Sequence, residues 1–343
     1  MNPTLVNVLR GSHLESQHGG AFAVVDADGA VVAQAGDIDR PVFPRSAVKL
    51  LQALPLVASG AADRFGLNDA ELALACASHN GEAAHASTAA GMLAKAGLDV
   101  QALECGTHWP SYEPASRGLV KADQKPSALH NNCSGKHAGF VCLGCTLADG
   151  DARGFLSGYV TPDHPVMREV SAALQAAAGY DLVQAPRGTD GCSIPTFAIP
   201  LRHLALAYAR VGTGLGLSPS HATAAKRLRT AIAREPFMIA GTGRFDTRVT
   251  ERLRERVCLK VGAEGVYCAA LPQRGLGVAV KMDDGNNARA VEVVMAALIE
   301  ALLPLADTDA TFMRGLSEPR LTNWNGIEVG RLAPTETLRQ LRA

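Results

Sequence analysis

Two kinds of hydrophobic patterning divide the chain. Residues 21–37, AFAVVDADGAVVAQAGD, carry valine-rich runs on either side of Asp28-Gly29, which predicts a β-hairpin because Asp-Gly supplies the positive φ of a tight turn. From Ser46 to about Cys142 the apolar positions are mostly Ala and Leu at helical spacing. EAAHASTAAGMLAKAGL is the clearest helix of that stretch, with Gly97 as its C-terminal stop. Two further helices are predicted at PVMREVSAALQAAAGY, ending at Gly179, and at SHATAAKRLRTAIAREP, ending before Pro236. VCLKVG, GVYCAALP and LGVAVKMDDG then read as three strands separated by glycine-containing turns, and VEVVMAALIEALLPLA closes with a helix. Strands at both ends bracket helices. The predicted fold class is α+β, an antiparallel sheet from N- and C-terminal strands with an inserted helical subdomain. Residues 1–45 and 255–343 form the sheet-bearing part and residues 46–254 a largely helical part with active-site loops, together one interleaved catalytic unit.

With 343 residues and 47% hydrophobic content, such a fold can bury a large core. The 33 basic and 33 acidic residues cancel, and no run of five like charges occurs, which points away from nucleic acid and anionic membranes and toward a small ligand. The N-terminal segment has no apolar run following a basic one, and Glu292 and Glu300 interrupt the most apolar late stretch, so the expected location is the cytoplasm with no membrane contact. Eight cysteines among apolar neighbours suit a reducing compartment better than a disulfide framework. Cys142 and Cys145 form a lone C-x-x-C and read as packing thiols.

Against this background one helix start carries unusual chemistry. In FPRSAVKLLQALPLVASG, Ser46 and Lys49 stand three residues apart, and Ala47 to Ala58 is all Ala, Val and Leu apart from Lys49, Gln52 and Pro55. Pro55 is expected to end or kink the helix. A serine hydroxyl becomes a nucleophile only when a base takes its proton, and a lysine serves as that base when burial or a cationic neighbour depresses its pKa. A lysine on such a helix can equally extend its ammonium to water and cover apolar area with its stem, and Ser-x-x-Lys alone does not choose.

Two other elements sharpen the choice. ELALACASHNGEAAH presents Ser78 and Asn80 as Ser-x-Asn, and RVCLKVGAEGVYCAALP presents Lys260 and Gly262 as Lys-x-Gly. Lys95 with Gly97 fits the third element too, but lies in an alanine-rich helical segment, whereas Lys260 ends an apolar strand-like run. Ser-x-x-Lys, Ser-x-Asn and a Lys-Thr-Gly-like triplet, in that order, are the set used for acyl transfer by serine β-lactamases and penicillin-binding proteins.

HNNCSGKHAGF, residues 130–140, reads as a polar loop ahead of an apolar segment and crowds Cys133, Lys136 and His137 together. It is no phosphate loop, since His130 replaces the first glycine and His137 the magnesium-binding hydroxyl. GTDGCSIPTF, residues 188–197, is a second glycine-punctuated loop, with Asp190 and Cys192. Two thiolates with a nitrogen from Lys136 or His137 could form a three-ligand zinc site. Spacing alone favours two unconnected free cysteines, because a lysine must lose its proton to bind metal.

PRSAVKLLQALPLV, ACASHNGE, HNNCSGKHAGF, GTDGCSIPTF and KVGAEGVYCAALP together resemble the successive motifs of the rhizobial-type L-asparaginases, the asparaginase II family, across about residues 44–272. The eleven-residue loop is the specific part. The resemblance implies a β-lactamase-like fold, a homodimer, and hydrolysis of L-asparagine to L-aspartate and ammonia. It pairs Ser46 with Lys49 and Ser78 with Lys260 as catalytic residues, and sets zinc on Cys133, Lys136 and Cys192. Arg45, Asn80, His137 and Asp190 stand in the same segments as candidates to contact substrate or support those contacts. The alternatives are another Ser-x-x-Lys acyl hydrolase, a glutaminase or a β-lactamase-like enzyme, and a non-catalytic amino-acid or zinc-binding protein. Which serine attacks, and whether asparagine or glutamine is preferred, stays open at this level.

Overall fold

The computed structural model describes residues 1–342. The chain folds as two compact units, one comprising Met1–Ala47, Ile199–Thr213 and the chain from Leu259 onward, the other Val48–Ala198 and Gly214–Cys258.

The first unit is built on an eight-stranded sheet with strands β1 (Thr4–Arg10), β2 (His13–Asp26), β3 (Val31–Ala35), β4 (Cys258–Val261), β5 (Val266–Leu271), β6 (Leu276–Met282), β7 (Arg320–Thr322) and β8 (Glu328–Pro334). Their order is β7-β8-β1-β2-β6-β5-β4, with β3 paired to β2. N- and C-terminal strands thus share one antiparallel sheet, with Val24 opposite Val278 and Val278 opposite Ala269. β2 is 14 residues long, so its first half pairs with β1 and its second half with β3 and β6. The predicted hairpin connects β2 to β3: Gly29 has φ 95°, and the Asp26 carboxylate accepts from the N–H groups of Asp28 and Ala30.

Every residue of β5 is buried, so the sheet centre is covered on both faces. The helix Leu201–Thr213, absent from the predicted elements, lies across β2, β5 and β6. Gly277 makes that approach possible: a Cβ there would fall 1.9 Å from the Ala205 carbonyl oxygen. The helix Glu292–Leu302 contacts β1, β8 and the helix Asp307–Ser317.

The second unit is helical and organised around Ser134–Leu147, whose residues are buried from Ser134 through Cys145. A helix apolar on all sides must be enclosed, and the helices Asp69–Ala75, Ala83–Lys95 and Pro165–Ala178 pack on it. Gly135 brings it against Asp69–Ala75, since a Cβ would lie 2.4 Å from the Leu74 carbonyl oxygen. This corrects the reading of residues 130–140 as a loop: helix begins at Ser134, so Lys136 and His137 occupy its buried first turn. GTDGCSIPTF is correspondingly a hairpin, Arg187–Thr189 pairing with Pro195–Phe197 around a turn that holds Asp190 and Cys192. Several predicted ends hold. Gly97 follows the end of Ala83–Lys95 with φ 72°, and Gly179 caps Pro165–Ala178 in the left-handed region. Pro55 opens a new short helix, Leu54–Ala58, after a break at Ala53. No helix among the described residues is long and apolar enough to cross a membrane.

Candidate active site

Ser46 and Lys260 belong to the first unit. Ser46 is half-buried on a 3₁₀ turn, Arg45–Val48, which leads into the helix Lys49–Gln52. Arg45, the residue before it, has φ 51°, an uncommon left-handed conformation for a long side chain. Two contacts hold this turn. The buried Tyr208 hydroxyl donates to the Ala47 carbonyl at 2.5 Å, and Gly262, just beyond β4, backs onto the Pro44 carbonyl. The end of β4 therefore lies beside the start of the Ser46 turn. Lys260 is 1% exposed, and its Nζ donates to the Val261 carbonyl at 2.8 Å.

Lys49, Ser78, Asn80 and the thiols belong to the second unit. Lys49 is wholly buried and donates to the carbonyls of Ala77, at 2.6 Å, and Asn132, at 3.3 Å. Ser78 and Asn80 are also buried, on a segment outside the helices and strands whose Ser78 and Asn80 N–H groups donate to the Ile239 and Ala240 carbonyls. Between them stands His79. The Gly81 N–H donates to its Nδ1 at 3.1 Å, so the ring proton sits on Nε2, which faces Ser134 Oγ at 3.0 Å. Burial, then the charges of His85, Lys49, His108 and His130, hold the His79 pKa well below the ordinary imidazole value.

Cys133, Lys136 and Cys192 converge. Lys136 Nζ donates to Cys192 Sγ at 2.9 Å, Cys192 hydrogen-bonds to Cys133, and the Asp190 carboxylate lies 3.9 Å from Cys192 Sγ. The hydrogen bond from Cys192 lowers the Cys133 pKa well below the thiol range; burial opposes this, and the charges of Lys49 and Lys136 assist it. Cys192 moves up, first through the proton it shares with Cys133 and then through burial. Burial pulls Lys136 down, but the Cys192 and Cys133 sulfurs and Asp190 outweigh it and leave the ammonium raised. Among the described residues no group of three or more His, Cys, Asp or Glu is arranged to hold a metal. This cluster is two sulfurs and an amine, a donor set that suits zinc once Cys192 and Lys136 give up their protons. His137, next to Lys136, directs Nδ1 to the Tyr159 hydroxyl at 2.7 Å, and burial followed by the charges of Lys136 and Lys49 depresses its pKa. Among the described residues its buried Nε2 meets no hydrogen-bond partner.

The Asn80 amide is fully engaged. Its Oδ1 accepts from Arg244 at 3.0 Å and Ser111 at 3.3 Å, and its Nδ2 donates to the Thr242 carbonyl at 3.2 Å and Glu82 at 3.3 Å.

The model of the family described as L-asparaginase II matches residues 6–334, nearly the whole chain. The chain belongs to the L-asparaginase II family. Among solved structures, a β-lactamase from Mycobacterium bovis is similar at 16% identity, over 83% of this chain and 95% of that one, with a TM-score of 0.40. No curated protein matches.

As an L-asparaginase II family member the chain is an asparaginase-type hydrolase. Sequence reasoning passed over four residues that its structure puts beside the candidates. His79 and Glu82 flank Asn80 in the quoted ACASHNGE, so their position was visible although their contacts were not. Tyr159 and Arg244 come from distant stretches with no spacing signal. Only the folded chain brings Arg244 to Asn80 and Tyr159 to His137.

Proposed function

We propose that the chain is an L-asparaginase, hydrolysing L-asparagine to L-aspartate and ammonia through an acyl-enzyme on Ser46. The observation that carries this reading is the family match over residues 6–334. A second supports it: Lys49 keeps its amine wholly buried and bonded to the peptide that precedes Ser78. In this account Lys49 takes the Ser46 proton, the Ser46 oxygen adds to the side-chain amide carbon, and the C–N bond breaks as the nitrogen regains a proton and leaves as ammonia. Water then adds to the ester and releases aspartate. Ser78 and Lys260 form the second hydroxyl–amine pair, relaying protons or orienting the nucleophile. Arg45, Asn80, His137 and Asp190 serve the substrate side.

Cys133, Lys136 and Cys192 would hold zinc, which when bound supplies a Lewis acid near the substrate or a tie between the two segments. A homodimer in the cytoplasm completes the reading.

Ammonia release from L-asparagine and L-glutamine, measured side by side, tests it. Faster release from asparagine is expected. Faster release from glutamine would make the protein a glutaminase, and hydrolysis of a chromogenic β-lactam in place of either amide would make it β-lactamase-like. Amino-acid binding with no ammonia from any substrate would leave a sensor.

A further inference from the structure

Arg244 stands half-buried at the N-cap of the helix Phe245–Leu253, where a guanidinium, which has only donors, cannot cap the first-turn N–H groups. Instead its NH1 reaches Asn80 Oδ1 at 3.0 Å. Asn80 is 4% exposed and has committed both amide protons and both acceptor positions within the protein, so it has none left for a ligand. Glu82 commits its carboxylate to the Thr242 N–H and hydroxyl and to Asn80. Among the described residues no carboxylate pairs with Arg244. A partly buried guanidinium without a counter-ion, with its NH1 anchored and its Nε–NH2 edge uncommitted, has the geometry to take a carboxylate through two parallel hydrogen bonds.

We infer that Arg244 binds the α-carboxylate of the amino-acid substrate, with Asn80 as the positioning residue that aims it. This rests on the asparaginase reading, and it reassigns Asn80 from substrate contact to support. The two sides of the substrate are thereby separated. The amide end goes to the hydroxyl–amine chemistry, and the carboxylate end goes to the Gly241–Arg244 turn, which follows directly on Ile239 and Ala240, whose carbonyls accept from the Ser78 and Asn80 N–H groups.

The test compares L-asparagine with β-alaninamide, the same molecule without its α-carboxylate. For Arg244→Ala, kcat/KM on asparagine is expected to fall about 10- to 100-fold, mostly through KM, the scale of one lost charge-assisted pair. Turnover of β-alaninamide is expected to stay within about twofold of wild type. Arg244→Lys keeps the charge and the stem but loses the fork, and a smaller loss confined to asparagine is expected; it also serves should Arg244→Ala fold poorly. An unchanged KM for asparagine, or equal losses on both substrates in a variant with wild-type circular dichroism and melting temperature, overturns the inference. If wild-type protein releases no ammonia from asparagine, the asparaginase reading fails on its own. Calorimetry then decides for Arg244: tighter wild-type binding of asparagine than of β-alaninamide, lost in Arg244→Ala, upholds it, and equal binding or none refutes it.

Discussion

Lys49 holds the peptide that precedes Ser78: its buried Nζ donates to the Ala77 carbonyl at 2.6 Å, and a second bond, at 3.3 Å, reaches Asn132 beside Cys133. The amine proposed as the base for Ser46 therefore also ties together the segments that carry Ser78 and the first thiol. Chemistry and architecture share one nitrogen, and the two roles are separable by experiment.

Lys49→Met keeps most of the apolar stem and removes the amine. Ammonia release is expected to drop about 10²- to 10⁴-fold, the range of a lost general base. Stability is expected to fall by about 1–3 kcal/mol, because the buried Ala77 carbonyl loses the Lys49 donor and the Asn132 carbonyl keeps only the His79 N–H. Urea unfolding alongside the rate assay separates the effects, and a rate loss no larger than the unfolded fraction explains would deny Lys49 a chemical role.

The thiol–amine cluster predicts a metal count. Protein prepared with zinc is expected to carry about one zinc per chain by elemental analysis, and Cys192→Ser to lose most of it on dialysis against a chelator. Cys142→Ser is the control. Cys142 is buried in the C-x-x-C, and burial, the largest cause, pushes its pKa up to about 12. It should keep the zinc. Equal retention in the two variants would speak against the cluster as the metal site.

Acid sensitivity follows from His79. Its folded pKa is depressed, so the unfolded chain, with an imidazole near 6.5, binds the proton more readily than the native protein. The stability this group contributes is fully present above 6.5 and is lost as pH falls from there through the folded value. The expected slope is about 1.4 kcal/mol per pH unit for this one histidine. His79→Gln should reduce the slope of unfolding free energy between pH 6.5 and 5 by about that amount, measured by urea titration. An unchanged slope would mean that His79 is not buried in its neutral form.

Two glycine substitutions should move stability in opposite directions. Gly277→Ala drives a Cβ to within 1.9 Å of the Ala205 carbonyl under the helix Leu201–Thr213, and a loss of about 1–3 kcal/mol or more is expected. Gly118 sits exposed inside the helix Glu113–Lys121 with nothing within 4 Å of its missing Cβ, so Gly118→Ala should stabilise by about 0.5–1 kcal/mol. Melting temperatures of the two variants check both signs.

Strong local signals made much of the fold readable. The Asp28-Gly29 turn, the Gly97 and Gly179 helix ends and the valine-rich C-terminal strands each follow from backbone chemistry within a few residues. β1 and β8 escaped because their half-buried edges lack a clean alternation, and Leu201–Thr213 lacked a flanking start signal despite its helical periodicity. The first turn of Ser134–Leu147 has the composition of a loop in its Ser, Gly, Lys and His; tertiary enclosure, which local propensity does not see, makes it helix. For the site, the family resemblance singles out Cys133, Lys136 and Cys192, which spacing alone does not, and the fold brings their atoms into contact. Arg244 meets Asn80 across 164 positions of chain, a relationship that only folding creates.

The most direct test of the central claim is a search for the covalent intermediate. Protein quenched in acid during turnover of L-asparagine is examined by intact mass and peptide mapping, with Ser46→Ala and Ser78→Ala in parallel. The account predicts a mass gain of one aspartyl residue on the peptide containing Ser46, retained in Ser78→Ala and absent from Ser46→Ala. An adduct on Ser78 that survives in Ser46→Ala would contradict it.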